Sequence, residues 1–237
     1  MQLLVSVANS IEARHAVEGG ADLIDAKDPL VGALGAVSLD TLLQIHSVVS
    51  GRRPVTAAIG DAYNEQTIER TVFEYGATGL AFVKVGFAGI NEPARVERLM
   101  NAAARGVRAS GTGSLVAVAY ADEVTTSVDR FALLDLAARV GASGVLLDTA
   151  DKRGPGLLHL LSPSALTAWV AAAHGEGLTV ALAGRLTYED LARVLDTGAD
   201  IAGVRGAACA SGRASRVVTD KVRALKQNMS RAELTHR

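Results

Sequence analysis

The sequence predicts an α/β fold, a single (β/α)8 TIM barrel, and three observations carry that expectation. The chain has 237 residues, close to the roughly 250 of one such barrel. Eight apolar runs alternate with stretches of helical length from end to end. A Gly-Ala step recurs ahead of every second run.

The runs cover residues 3–7, 23–27, 55–61, 82–87, 115–122, 144–149, 179–185 and 201–206. Most are near-continuous Val, Leu, Ile and Ala, the composition of parallel strands buried on both faces. The segments between them start like helices. Asn9 precedes Glu12 in capping-box spacing after the first run. Ser162 is followed by Pro163, a favoured first helical residue, and Thr187 leads Glu189 and Asp190 into an acidic first turn. Each unit is about 25 to 35 residues, the length of a βα repeat rather than a domain. No linker interrupts them, so the barrel is expected to span 1–227, with 228–237 a polar, frayed tail.

The repeat reads Gly20-Ala21, Gly76-Ala77, Gly141-Ala142 and Gly198-Ala199, ahead of runs 2, 4, 6 and 8. Each glycine suits the left-handed residue that ends a helix. Lys27, Asp148 and Arg205 each fall seven residues after their glycine and Lys84 eight after its own. A doubly wound open sheet competes, but it would carry a glycine-rich turn after an early strand, and Ser6 to Asn9 has none.

Bulk composition excludes several classes. Apolar residues are 49% and charged residues 21%, ordinary for a globular protein with a large core. The net charge of −1 gives no basis for nucleic-acid or anionic-membrane partners. The lone Cys209 rules out an internal disulfide and fits a reducing compartment. Met1 leads directly into Leu3-Leu4-Val5 without a basic segment, and no apolar run approaches the ~18 residues of a membrane span. The expected location is cytoplasmic.

Active sites of such barrels lie at the C-terminal strand ends, where alternate strands share a layer. The sequence therefore predicts a ring of Lys27, Lys84, Asp148 and Arg205 at the mouth, with Asp25 on the same side of its strand as Lys27. A salt-bridge role at the strand ends is the competing reading for any one of these charges, but it does not account for all of them together, because burying unpaired charge is costly. Lysine usage adds an independent argument. The chain has 19 arginines but five lysines, and three of those, Lys27, Lys84 and Lys152, stand at or just after strands 2, 4 and 6. Lysine, unlike arginine, forms imines and loses its proton when its pKa is lowered. This points to Schiff-base or proton-transfer chemistry on a carbonyl, with a phosphate-ligand role open for Lys152. Gly184 and Arg185 ending strand 7, with Arg205 and Gly206 ending strand 8, resemble the usual barrel phosphate site.

Other candidates are weaker. Asp61 and Asp122 end strands 3 and 5, where Asp is also common in turns. His15, His46, His159, His174 and His236 show no metal-ligand spacing, and Cys209 reads as a packing residue. No metal or cofactor is expected.

These residues lie in segments that resemble a known family, (5-formylfuran-3-yl)methyl phosphate synthase, also called 4-(hydroxymethyl)-2-furancarboxaldehyde-phosphate synthase. The likeness covers almost the whole chain. It includes Leu3-Leu4-Val5-Ser6, Ile24-Asp25-Ala26-Lys27-Asp28-Pro29, Ile59-Gly60-Asp61, Val83-Lys84-Val85-Gly86, Tyr120-Ala121-Asp122, Leu147-Asp148-Thr149-Ala150, Ala181-Leu182-Ala183-Gly184 and Gly203-Val204-Arg205-Gly206-Ala207-Ala208-Cys209. The resemblance implies condensation of two glyceraldehyde 3-phosphate molecules into a phosphorylated furan aldehyde, with loss of phosphate and water. The product would feed the furan part of methanofuran or a related one-carbon carrier. It further implies Lys27 as the Schiff-base residue, Lys84 as proton acceptor, and Asp25, Asp148 and Lys152 as assisting groups. The expected partner is a phosphorylated triose, and the expected assembly a homo-oligomer. A Schiff-base aldolase acting on another phosphosugar is the nearest alternative.

Overall fold

The computed structural model describes residues 1–122 and 127–235, with Thr235 described for its backbone alone. Eight parallel strands close into a barrel in chain order. They are β1 (Gln2–Val7), β2 (Leu23–Ala26), β3 (Val55–Asp61), β4 (Phe82–Gly86), β5 (Ser114–Tyr120), β6 (Gly144–Asp148), β7 (Thr179–Leu182) and β8 (Ile201–Val204). Around them run α1 (Ser10–Gly19), α2 (Leu39–Val49), α3 (Glu65–Gly76), α4 (Pro93–Ser110), α5 (Arg130–Arg139), α6 (Leu157–Leu160), α7 (Pro163–Gly175), α8 (Asp190–Asp196) and α9 (Thr219–Thr235), with a 3-10 turn at Gly206–Ala208. Closure is direct: β1 pairs Leu4 with Leu23 of β2 on one side and with Gly203 of β8 on the other. A closed barrel has no edge strand to protect.

The unbroken apolar runs follow from burial on both strand faces. On β1, Leu3, Val5 and Val7 face the helical layer, whereas Leu4 joins Leu23, Val116, Val118, Leu146, Ala181 and Ile201 inside the barrel. The inner apolar plug fills the lower barrel, and polar side chains gather above it. Among the described residues no helix is long and apolar enough to cross a membrane.

The helix starts are stabilised by the predicted caps. Ser162 accepts from Ala165 N at 3.2 Å, ahead of Pro163. Thr187 and Asp190 bond reciprocally, Thr187 N to Asp190 Oδ2 at 2.9 Å and Asp190 N to Thr187 Oγ1 at 3.3 Å. Asn9 accepts from Glu12 N at 3.0 Å, but the Glu12 carboxylate returns to Ala8 N at 2.8 Å rather than to Asn9. It thereby stays available for a second partner described below.

Two expectations need correction. Gly20, Gly141 and Gly198 adopt left-handed φ values of 92°, 75° and 82°, but Gly76 does not. It ends α3 against Ser110, and Gly79 takes the left-handed position instead. The longer corner inserts the extra residue that puts Lys84 eight places on. The polar 228–235 segment is not frayed: α9 continues through it to Thr235. Met229 is buried there, Asn228 Nδ2 donates to Tyr188 O at 2.6 Å, and the Met1 ammonium meets Glu233 at 2.9 Å.

Gly86 marks where packing at the mouth is tightest. A Cβ there would collide with Asp61 Oδ1, the Tyr120 hydroxyl and Leu34 Cδ1. Gly86→Ala is expected to lose about 1–3 kcal/mol of stability through overpacking, read as a lower urea midpoint. Gly175→Ala, where a Cβ meets nothing within 4 Å, serves as the control and shows no such loss.

Candidate active site

The predicted ring resolves into two levels and one displaced member. Asp25 and Lys84 form the lower level. Asp25 projects inward from β2 and its carboxylate pairs with the Lys84 ammonium from β4, both groups buried. Asp25 Oδ1 also accepts from Thr56 Oγ1 and Oδ2 from Ser6 Oγ, each at 2.8 Å. Ser6 and Thr56 are polar interruptions in apolar strands, a signal in the sequence that a buried partner exists. Two residues above Lys84 on the same face is Gly86, so β4 contributes no charge at the level of Lys27.

Lys27 and Asp148 form the upper level. Lys27 extends the β1–β2 ladder by one step, its N–H donating to Val7 O at 2.9 Å, and its Nζ lies 3.9 Å from Asp148 Oδ2. Asp148 ends β6. Its Oδ1 accepts from Lys152 Nζ at 2.5 Å and from Thr149 N at 2.8 Å, while Oδ2 has no hydrogen-bond partner among the described residues. Burial would raise the Asp148 pKa, but the Lys152 and Lys27 charges together with those hydrogen bonds hold it below its ordinary value. Burial drives the Lys84 and Lys152 ammonium groups below the usual lysine range, against the opposing pull of Asp25 and Asp148 respectively, and the nearby Lys27 charge lowers both further.

Arg205 leaves the ring. All five of its N–H groups are used: Glu12 takes two at 2.8 and 3.3 Å, and the carbonyls of Ser6, Ser215 and Arg213 take the others at 3.0, 3.3 and 2.6 Å. A saturated guanidinium is a brace, so the expectation that Arg205 holds phosphate is corrected. Its buried partner, Glu12, comes from the cap of α1.

The other aspartates also brace loops. Asp122 accepts from Ala150 N and Asp151 N at 2.7 and 2.8 Å, fixing the loop that carries Lys152. Asp61 accepts from the Tyr120 hydroxyl at 2.9 Å and Ala88 N at 3.0 Å. Burial and the Asp61 charge raise the Tyr120 pKa well above its ordinary value. Cys209 is packed in the core. His15, His46, His159 and His174 lie away from the cavity, and His236 falls outside the described residues. Among the described residues no cluster of three metal-ligating side chains forms.

A cavity of about 550 Å³ opens above these groups, lined by Lys27, Lys84, Asp148, Lys152 and the β7 and β8 ends. Gly184 sits at φ 104° and Arg185 at φ 58°. The backbone N–H groups of Gly184, Arg185, Gly206 and Ala207 donate to no acceptor among the described residues, which suits an anion. Arg213 also lines the cavity, and nothing in the sequence pattern singled it out.

A closed parallel barrel with this lysine-rich, aspartate-paired mouth defines a (β/α)8-barrel enzyme. Residues 3–226 match the family model described as 4-HFC-P synthase. The (5-formylfuran-3-yl)methyl phosphate synthase of Methanopyrus kandleri is 41% identical over 91% of this chain and 92% of that protein. Its counterpart from Methanothermobacter thermautotrophicus is 34% identical over 96% and 98%. The chain belongs to the (5-formylfuran-3-yl)methyl phosphate synthase family. Among solved structures, KGPDC from Streptococcus mutans superposes with a TM-score of 0.68 at 14% identity, covering 98% of both chains. A 3-hexulose-6-phosphate synthase superposes at 0.64 and 17%, covering 97% of this chain and 100% of the other. These two share the fold.

With five lysines in the chain, a 15N-lysine NMR titration can follow each amine. Lys84 Nζ is expected to titrate below the ordinary lysine range, because burial disfavours its charged form. In Asp25→Asn it should titrate lower still, because the carboxylate that favours the charged form is gone while burial and Lys27 remain. An unshifted midpoint in Asp25→Asn would show that the pair is not electrostatically coupled.

Proposed function

We propose that this enzyme condenses two glyceraldehyde 3-phosphate molecules into (5-formylfuran-3-yl)methyl phosphate through an imine at Lys27. The observation that carries the reading is the buried Lys27 amine facing the unpartnered Oδ2 of Asp148 across 3.9 Å. Here a carbonyl can meet a nucleophile and a proton acceptor together. The family membership supports the product, and the supply of furan for methanofuran or a related carrier belongs to the same reading.

Lys27 adds to the C1 aldehyde and water leaves, giving an imine. Its adjacent C2–H becomes acidic because the resulting enamine spreads charge onto nitrogen. Lys84, whose neutral form is favoured by burial, takes that proton as general base. The enamine either expels phosphate from C3 or attacks the second aldehyde at carbon. Asp148 relays protons during the dehydrations, with Lys152 as its hydrogen-bonded partner. Closing and aromatising the ring makes the sequence irreversible. The open amides of Gly184, Arg185, Gly206 and Ala207 hold a phosphoryl group during these steps.

Incubation with glyceraldehyde 3-phosphate alone is expected to release inorganic phosphate and generate the ultraviolet absorbance and mass of the furan. Borohydride should trap the triose on Lys27 of the intact protein. Lys27→Ala should abolish both signals with the fold retained. Lys84→Ala should retain imine trapping and slow furan formation by about 10²–10⁴-fold, the usual contribution of a positioned base. Trapping on any other lysine would overturn the assignment.

A further inference from the structure

Two phosphorylated trioses carry two dianions into one cavity, and these repel each other unless each meets its own positive site. The amides after β7 and β8 accommodate one phosphoryl group. The cations lining the cavity are otherwise mostly committed. Lys84 is bound to Asp25, Lys152 to Asp148, and Arg205 to Glu12 and three carbonyls. Lys27 must remain available as nucleophile, and Arg185 is exposed at the rim.

Arg213 is the exception. Its side chain reaches from the loop after β8 to the loop after β2, where one guanidinium nitrogen donates to Gly32 O at 3.3 Å. This weak contact leaves the other side-chain N–H groups without an acceptor among the described residues. The guanidinium lines the cavity and lies near Asp148 and Asp28, with burial and Arg205 opposing its charge. Its backbone is held unusually firmly for a loop. Arg205 Nε donates to Arg213 O at 2.6 Å and Arg205 Nη2 to Ser215 O at 3.3 Å, and the same guanidinium is anchored on Glu12 at the start of α1. Gly212, at φ 77°, makes the turn immediately before it. A buried ion pair thus fixes the main chain of an arginine that begins beside Gly206 and whose guanidinium reaches across the cavity mouth to the β2 loop at Gly32.

Resting on the proposed condensation of two triose phosphates, we infer that Arg213 binds the phosphoryl group of the second triose, in a subsite separate from the amides after β7 and β8. Arg205 and Glu12 are positioning residues that act through the Arg213 main chain. A planar guanidinium can grip a phosphate through two parallel N–H bonds, which a backbone amide pocket or a lysine cannot reproduce.

Equilibrium dialysis with radiolabelled inorganic phosphate tests the subsite without requiring turnover. Wild-type protein is expected to bind two phosphates per chain and Arg213→Ala one. With glyceraldehyde 3-phosphate, Arg213→Ala should keep borohydride trapping on Lys27 while its KM for furan formation rises about 10–100-fold, in line with loss of a charge-assisted phosphate pair. Arg213→Lys should recover part of that KM. Equal phosphate stoichiometry in wild type and Arg213→Ala overturns the inference, as does a fall in kcat with KM unchanged. Loss of Lys27 trapping in Arg213→Ala would assign the arginine to the first triose instead and also overturn it. If wild-type protein binds two phosphates but makes no furan, the condensation reading fails while the subsite stands.

Discussion

Two buried carboxylates set the terms for everything at the barrel mouth. Asp25 and Asp148 stand inside an otherwise apolar cylinder, where an isolated charge would cost several kcal/mol. Each is tolerated because a lysine from the same mouth lies against it, Lys84 against Asp25 and Lys152 against Asp148. The two are nonetheless satisfied differently. Asp25 is saturated by Lys84, Ser6 and Thr56, whereas Asp148 keeps one oxygen bare toward Lys27. The Asp25 carboxylate is therefore fully engaged within the protein, while the Asp148 carboxylate keeps one oxygen turned toward Lys27.

The barrel supplies the rigidity this arrangement needs. Lys27 lies one residue beyond β2, yet its amide continues the ladder with Val7, so the ammonium stem starts from fixed backbone. Lys152 lies in a loop, and that loop is held by Asp122 through the amides of Ala150 and Asp151. Arg205 and Glu12 perform the same service for the segment after β8. Charged residues near the mouth thus divide into those that brace main chain and those that face the cavity, and residue type does not distinguish them.

That division explains which parts of the site were legible in the sequence. Lys27, Asp25 and Asp148 could be placed on one end of the barrel because strand periodicity and the Gly-Ala corners locate inward positions at strand ends. The level of Lys84 could not be read so directly. Its corner carries the left-handed residue at Gly79 rather than Gly76, and a one-residue difference in a corner moves a side chain relative to its neighbours across the barrel. Arg205 obeys the repeat as well as Lys27 does, but Glu12, distant in sequence, captures its guanidinium. Arg213 has no periodic signature, since it lies in a loop whose path is fixed by that same capture. The helical course of residues 228–235 was hidden for a related reason: a polar segment looks frayed until its few apolar and terminal contacts, Met229 and Met1–Glu233, are brought into place.

The sequence by itself determined the eightfold alternation, the closed parallel class, the scarcity of lysine and its concentration at even strands, and the family. These are properties of local pattern, which periodicity, corner glycines and composition encode within a few residues. Tertiary structure alone decided which charges pair. Curvature of the barrel turns the inward faces of β2 and β4, which flank β3, toward each other, and closure brings the start of α1 against the end of β8. Only those long-range contacts separate Arg205, a saturated brace, from Arg213, whose guanidinium still faces the cavity.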